Sequence, residues 1–334
     1  MAAIILDGKA EAGRLLKNVA DGVQALAAAG VRPCLAAIQA NSDPGTDWYA
    51  RAQAKHCAEN GIEHRHVKLP PDISEEELVR EIRGISADPA VSGIILFTPL
   101  PAGVSHLRLA EAIDPEKDAE GVHPANMGRL LVSSRVDPAP CTAMAAMELI
   151  RTARPDRAGA RALVIGRSAT VGKPLALLLL TEHATVTVAH TRSDLRPVML
   201  DAEVVVAAAG ASGARWRAYE RKWLAWKRDG GARPERPNLD PLVTMDMVRR
   251  GAIVVDVGDN NIPVGLDADG GPVLDEKGRP AMRYAGDVDF DKVSEVAGYV
   301  TKPRGSVGPI TNAFLLRNVV HSALRLAGLP GGCE

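Results

Sequence analysis

The sequence predicts an α/β chain of two domains, each built on a mainly parallel sheet with helices on both faces. Three observations lead there. Apolar strand-like runs alternate with helical patterns along most of the chain, as in βαβ units. The alternation breaks at the polar segment RTARPDRAGA and then resumes. The length, 334 residues, accommodates two cores at roughly 100 to 200 residues per domain.

In the first half, Leu35 to Ala40 is an apolar run ending in the polar turn NSDPGTD, and DWYARAQAKHCAENGI, Asp47 to Ile62, reads as one short helix stopped by Asn60-Gly61. HRHVKL then reads as a strand. Ser74 with Glu77 forms a capping box before LVREIRGI, and SGIILFT follows the turn ADPA as another strand. Ligands of such sheets collect beyond the carboxyl ends of the strands. Here those loops are Gln39 to Asp47, FTPLPAG and, further on, DPEKDAEGVHPANMGRL. A helix begins near Thr142, and a first domain of residues 1–150 is expected.

The second half carries four more apolar strands, in ARALVIG, ATVTVAHTRS, DAEVVVAAAG and GAIVVDVG. A second domain over 151–311 is expected, with a helix from about Asn312 to Leu326 returning to complete the first domain as segment 312–334. In VIGRSATVGKP, Gly166 and Gly172 lie six residues apart, which is not the usual G-x-G-x-x-G span. A β-branched strand before and a helix after make it a Rossmann-like dinucleotide loop, with Gly166, Arg167, Ser168, Val171 and Gly172 as cofactor-binding residues. An NAD-selective fold usually ends its second strand on an acid, whereas here that terminus carries His190, Thr191 and Arg192. Arg167 and Arg192 suit a 2′-phosphate, so NADP is the expected cofactor and NAD the alternative, for which the nearby Asp194 speaks.

The charge is nearly balanced, 40 Lys plus Arg against 41 Asp plus Glu, which argues against nucleic acid or an anionic membrane as partner. Cys34, Cys57, Cys141 and Cys333 have no CxxC spacing, so neither a disulfide framework nor a zinc ligand set is expected and a reducing cytoplasm fits. The start, MAAIILDGKAEAG, has only a short apolar run, so no signal peptide is expected, and no apolar run reaches the roughly 20 residues of a membrane span.

Several segments together resemble the bifunctional methylenetetrahydrofolate dehydrogenase/cyclohydrolase family: Tyr49 with KHCAENGI, GIILFTPLPAG, KDAEGVHPANMGRL, PCT, VIGRSATVGKP, ATVTVAH, GAIVVDVG, GDVDF and SVGPIT. They stand in the family's order along nearly the whole chain. The resemblance implies a folate domain, an NAD(P) domain, a homodimer and a tetrahydrofolate one-carbon derivative as substrate. It implies catalytic positions at Tyr49, Gln53 and Glu120, and a folate site lined by Tyr49, Phe97, Pro99, Leu100, Glu120 and Pro309.

At key positions the chain departs from that pattern. The family's catalytic lysine, four residues after the tyrosine, corresponds to Gln53, the glutamine that supports it to Phe97, and the folate-binding aspartate to Glu120. The family's proline-valine-proline-glycine-glycine run has become Lys302-Pro303-Arg304-Gly305-Ser306. Hydrolysis of a methenyl bridge needs a group that exchanges a proton near neutral pH; an amide does not titrate, and a missing general acid or base costs ~10² to 10⁴ in rate. Hydride transfer asks mainly for alignment. Dehydrogenation with weak or absent cyclohydrolase activity is therefore expected. Lys55 lies roughly 200° around the helix from position 53 and is not expected to substitute, which leaves Lys302 and Arg304 as the other cations considered. Tyr49 is expected beside the pterin, His123 receives no role, and Asp287 in AGDV matches a family motif near the folate and cofactor junction.

Between DAEVVVAAAG and GAIVVDVG the chain carries an insertion at about 213–240. Trp216, Tyr219, Trp223 and Trp226 follow helical spacing there. The expectation is a helix packed on its own domain or across a dimer; a lid or partner surface is the alternative. Two other functions remain open at this point: a one-carbon enzyme acting on a modified pterin, and a non-catalytic folate- or nucleotide-binding regulator.

Overall fold

The structure is a computed structural model that describes residues 2–133 and 137–330; Cys333 and the end of the expected 312–334 segment lie outside the described residues. In chain order the elements are β1 (Ile4–Leu6), α1 (Gly8–Ala28), β2 (Cys34–Gln39), α2 (Pro44–Glu59), β3 (Glu63–Lys68), α3 (Glu75–Ala87), β4 (Gly93–Leu96), α4 (His106–Ala110), α5 (Pro124–Val132), α6 (Cys141–Ala153), β5 (Arg161–Ile165), α7 (Gly172–Thr181), β6 (Thr185–Ala189), α8 (Leu195–Asp201), β7 (Val204–Ala207), α9 (Ala211–Asp229), β8 (Ile253–Asp256), β9 (Asn260–Pro263), β10 (Met282–Ala285), α10 (Phe290–Val293), β11 (Tyr299–Thr301) and α11 (Val307–Leu326). They form two compact units, Lys9–Ala145 with Gly308–Glu334, and Met1–Gly8 with Ala146–Val307. No helix among the described residues is long and apolar enough to cross a membrane.

The first unit holds a three-stranded parallel sheet in the order β3-β2-β4. All six residues of the central β2, CLAAIQ, are buried, as a parallel strand covered on both faces requires. Leu78 and Ile82 of α3 pack with Leu109 and Ile113 against Ala36, Ile38 and Ile94 of the sheet. Each helix start that matters here is capped. Asp43 accepts the Thr46 amide at 2.9 Å ahead of Pro44, and Ser74 and Glu77 form the expected capping box. The helix α2 buries Thr46, Ala50, Gln53 and Cys57, a stripe at helical spacing.

The second unit holds a six-stranded parallel sheet, β1-β11-β8-β7-β5-β6. Its four central and distal strands are the four apolar runs read from the sequence. The edge pair is not: β1 and β11 are three residues each, and β1 joins this sheet by pairing Ile4 with Tyr299. Residues 2–8 and 146–150 thus belong to the second unit and not to the expected 1–150 domain, and 308–311 belong to the first; for β1 the reason is that pairing across about 300 positions leaves no local pattern. The last helix starts at Val307, five residues before the expected start at Asn312.

Two buried carboxylates fasten the loops of this unit. Asp287 accepts the amides of Ala209, Gly210 and Ala211 at 2.8, 2.8 and 2.9 Å, closing the start of α9, and Asn260 Nδ2 at 3.2 Å. Asp256 accepts the amides of Gly258, Asp287 and Val288. The Asp287 expected near a substrate junction is therefore a structural anchor. The insertion packs on its own unit: Trp216 and Tyr219 of α9 are buried against Ile262 of β9, and the Tyr219 hydroxyl and Trp223 Nε1 each donate at 2.9 Å to the carbonyls of Gly270 and Asp269.

Asp287→Ala would strand three backbone donors at about 1 to 3 kcal/mol each when buried, with relaxation and water recovering part. A stability loss of roughly 2 to 4 kcal/mol in urea unfolding is expected, and a loss below ~1 kcal/mol would show that the anchor carries little.

Candidate active site

The residues that the resemblance implied for the folate gather mainly on the first unit. Tyr49 and Gln53 stand one turn apart on α2, as the sequence predicts. Gln53 is 5% exposed, whereas Tyr49 is 37% exposed at the rim. Phe97, directly after β4, is buried and meets Tyr49 edge-on with ring centroids 5.4 Å apart. On its other side Phe97 meets His66 at 6.1 Å. Lys55 is excluded from this group: its side chain is 77% exposed and lies 3.8 Å from Glu59.

Gln53 takes its support from β3. Its Oε1 lies 3.0 Å from His64 Nε2, and because an amide oxygen only accepts, the imidazole nitrogen donates. The amide's other end, Nε2, is buried without a hydrogen-bond partner among the described residues. Side chains two apart on a strand share a face, so His64, His66 and Lys68 stand in a row. His66 lies 2.7 Å from Gln39 Oε1 and donates to it by the same reasoning; Gln39 Nε2 donates to Asp47 at 3.0 Å, and Lys68 pairs with the same carboxylate at 2.6 Å. Burial and the neighbouring His66 lower the His64 pKa, and burial and Lys68 lower that of His66. Both imidazoles are thereby kept neutral in the physiological range.

Glu120 sits in the loop before α6, where Asp118 does the positioning. Asp118 accepts the amides of Gly121 and His123 at 3.0 and 2.8 Å and Asn126 Nδ2 at 2.8 Å. Gly121 has φ +76°, and a Cβ there would lie 2.3 Å from the Ala139 carbonyl carbon. Burial, with the Asp118 charge second, pushes the Glu120 carboxyl up to about 7, against a lowering backbone hydrogen bond at Leu96. Burial and then Glu120 push the Tyr49 phenol up to about 12, while the neighbouring Gln53 acts in the opposite sense. Tyr49, Gln53, Phe97 and Glu120 are thus brought together. Pro99 and Leu100 lie in the loop after β4, which is tied to the loop before α2 by Asn41 Nδ2 donating to the Pro99 carbonyl at 2.9 Å. Pro309 is in the first turn of α11, apart from the hydrogen bonds and ring contacts that join this group. His123 caps α5 through Nδ1, a structural role.

The dinucleotide loop is on the second unit. β5 ends at Gly166, whose φ is +132° and where a Cβ would lie 2.3 Å from the Ala208 oxygen; a Cβ at Gly172 would lie 2.2 Å from the Gly166 oxygen. Only glycine fits either place. Between them the Ser168 hydroxyl accepts the amides of Val171 and Gly172 at 3.1 and 3.3 Å and shapes the start of α7. His190 follows β6 and its Nδ1 accepts the Arg192 amide at 3.2 Å. Arg167, Thr191 and Arg192 are exposed, and neither guanidinium has an ion-pair partner among the described residues. Asp194 accepts the Arg196 amide as the cap of α8. A glycine-lined cradle at a helix start with two free guanidinium groups fits a dinucleotide carrying an extra phosphate. Lys302 and Arg304 line a cavity of about 620 Å³ on this unit, where Arg304 lies 4.6 Å over the Tyr284 ring.

Sequence reasoning missed His64, His66 and Gln39. The available signal was the alternation in EHRHVK beside a strand that closes on a polar residue.

Residues 6–120 match the family model of the tetrahydrofolate dehydrogenase/cyclohydrolase catalytic domain, and residues 140–214 and 239–327 that of the NAD(P)-binding domain. The gap between the last two segments falls within the insertion. The bifunctional protein FolD of Roseiflexus castenholzii is 40% identical over 334 residues, covering 99% of this chain and 100% of that protein. Among solved structures, a Trypanosoma brucei N5,N10-methylenetetrahydrofolate dehydrogenase-cyclohydrolase complexed with NADP cofactor and inhibitor is 31% identical, with a TM-score of 0.79 and 97% and 98% of the two chains covered. A 5,10-methylenetetrahydrofolate dehydrogenase from the silkworm Bombyx mori is 30% identical, with a TM-score of 0.77 over 98% and 99%. With both domains matched along almost their whole length, the chain belongs to the tetrahydrofolate dehydrogenase/cyclohydrolase family.

Proposed function

We propose that this protein oxidises 5,10-methylenetetrahydrofolate to the methenyl form by hydride transfer to NADP, with little or no cyclohydrolase activity, and that it works in the cytoplasm as a homodimer. The observation that carries the reading is the environment of Gln53. It is a buried amide backed by a neutral histidine and an apolar Phe97, with the nearest lysine of its helix turned to solvent. No group at that position exchanges a proton.

NADP, when bound, supplies the hydride acceptor. The chain's own residues bind, orient and exclude water. Gly166, Ser168, Val171 and Gly172 would cradle phosphate, and Arg167, His190, Thr191 and Arg192 would face the 2′-phosphate. Tyr49, Phe97, Pro99, Leu100 and Pro309 would give the pterin apolar walls and keep water away. Glu120 would accept hydrogen bonds from the pterin's N–H groups, and its carboxylate would offset the positive charge that develops as hydride leaves.

Three measurements test this. In a product-resolved assay the parent enzyme should accumulate methenyl product. The double variant Gln53→Lys/Phe97→Gln should gain hydrolysis by at least ~10², and Gln53→Lys alone by less, because Phe97 gives a buried ammonium no acceptor. Parent hydrolysis as fast as oxidation would overturn the proposal. With the Glu120 carboxyl near 7, kcat/KM should rise about tenfold per pH unit below neutrality as the carboxylate forms, and level off above it. Glu120→Gln should flatten that profile. Arg167→Ala and Arg192→Ala should each raise KM for NADP roughly tenfold or more, the size of a charge-assisted contact, with NAD little affected; equal losses for both cofactors would remove the 2′-phosphate assignment.

A further inference from the structure

Gln53 is only 5% exposed, yet of its amide only the oxygen is used. Nothing among the described residues accepts from Nε2, and an unmatched buried donor is an unfavourable arrangement unless something that binds completes it. The direction of the vacant end follows from two facts. The oxygen faces β3, where His64 holds it at 3.0 Å. Tyr49 stands one turn before Gln53 on the same face of α2, so with the oxygen committed to β3 the nitrogen is left to that face. A glutamine side chain free to turn about its last bond would exchange these ends. His64 prevents that as long as its Nε2 carries the proton.

We propose that His64 is a positioning residue, whose Nε2–H pins Gln53 Oε1 so that the two Gln53 N–H bonds point into the pocket beside Tyr49, where an acceptor atom of the folate substrate completes them. This rests on the folate dehydrogenase reading and adds to it a residue outside the positions that the family resemblance implied. His64 itself is steadied by its place on β3, where its neighbour His66 is tied to Gln39 and through it to Asp47 and Lys68. Held this way, Gln53 is a neutral donor of fixed orientation that contributes binding and alignment without a charge.

The test has a part that needs no substrate. In protein labelled with 15N-histidine, the His64 ring should show its proton on Nε2; a proton on Nδ1 would leave Nε2 to accept, reverse the amide and overturn the proposal. The second part is a double-mutant cycle in turnover of methylenetetrahydrofolate with NADP. His64→Leu should lower kcat/KM roughly 3- to 10-fold, the worth of a neutral hydrogen bond, and His64→Gln, which keeps a donor at that reach, should recover part of the loss. In a Gln53→Leu background His64→Leu should change nothing further. Independent, multiplying losses would assign His64 a general structural role and overturn the proposal, and matched thermal melts separate either result from unfolding. A parent that neither turns over nor binds the folate would defeat the folate reading itself, a result distinct from an active parent whose two losses multiply.

Discussion

A primary amide buried away from water needs a partner at each end, and within the described residues Gln53 has one for its oxygen alone. The resemblance implied support for the residue at this position from the end of the strand β4. Here that place is Phe97, which can offer only an edge or a face. Support comes instead from β3, through His64. Once the polar contact has moved to the neighbouring strand, an apolar ring after β4 no longer leaves a polar group stranded. The Gln53–His64 contact and the apolar Phe97 are therefore compatible: with the amide oxygen held from β3, a ring after β4 leaves that oxygen satisfied, where an unmatched buried acceptor would cost about 1 to 3 kcal/mol.

The second unit depends on a different constraint, close approach of backbone to backbone. Gly166 and Gly172 are required because carbonyl oxygens occupy the places where their Cβ atoms would be. The six-residue spacing between them departs from the usual dinucleotide fingerprint, but the physical need is the same: a tight exit from the strand and a helix start left open for an anion. Asp287 and Asp256 hold the neighbouring loops by accepting backbone amides. A carboxylate spent on several amides has little capacity left for a ligand, which is why a conspicuous acidic motif proves to be scaffold. Asp194 is the same lesson at smaller scale, its side chain given to the cap of α8.

Much of this was legible along the chain. The buried parallel strands β2, β4, β5, β7 and β8 announce themselves as apolar runs because both of their faces are covered. The Ser74 capping box and the Pro44 start of α2 are local chemistry and appear where local chemistry puts them. What stayed hidden depends on contacts remote in sequence. β1 and β11 are too short to show a period, and they are strands only because β11 lies between β1 and β8 and pairs with both. The aromatic spacing of α9 was visible, but its destination on β9 was not, since an exposed and a buried stripe look alike until the opposing surface is known. At the site, Tyr49 and Gln53 were readable as i and i+4. Their neighbour His64 was harder to read, because the alternation in EHRHVK is of polar side chains and does not say which face turns inward. The elevated Glu120 pKa is likewise a product of burial and of Asp118, and a sequence contains neither.

Electrostatics then joins these observations to the proposed chemistry. Around Tyr49 the side chains are neutral by construction: an amide that cannot titrate, imidazoles whose pKa burial lowers, and a Cys141 thiol whose pKa burial raises well above its usual value. Glu120 is the group in this set poised to carry charge near neutrality, and that charge is negative. A unit positive charge about 4 Å from a carboxylate is favoured by ~4 kcal/mol at an effective dielectric of 20, and an ammonium at the same distance would disfavour it by as much. In the proposed reaction, loss of hydride converts a neutral methylene bridge into a methenyl cation, and a pocket that presents Glu120 and, among the described residues, no ammonium beside Gln53 would favour the oxidised product over the reduced substrate. The same arrangement leaves an attacking water without a base at position 53. On the proposed reading, a histidine-held glutamine at position 53 therefore acts twice, giving hydrolysis no proton carrier and the methenyl product no repulsion.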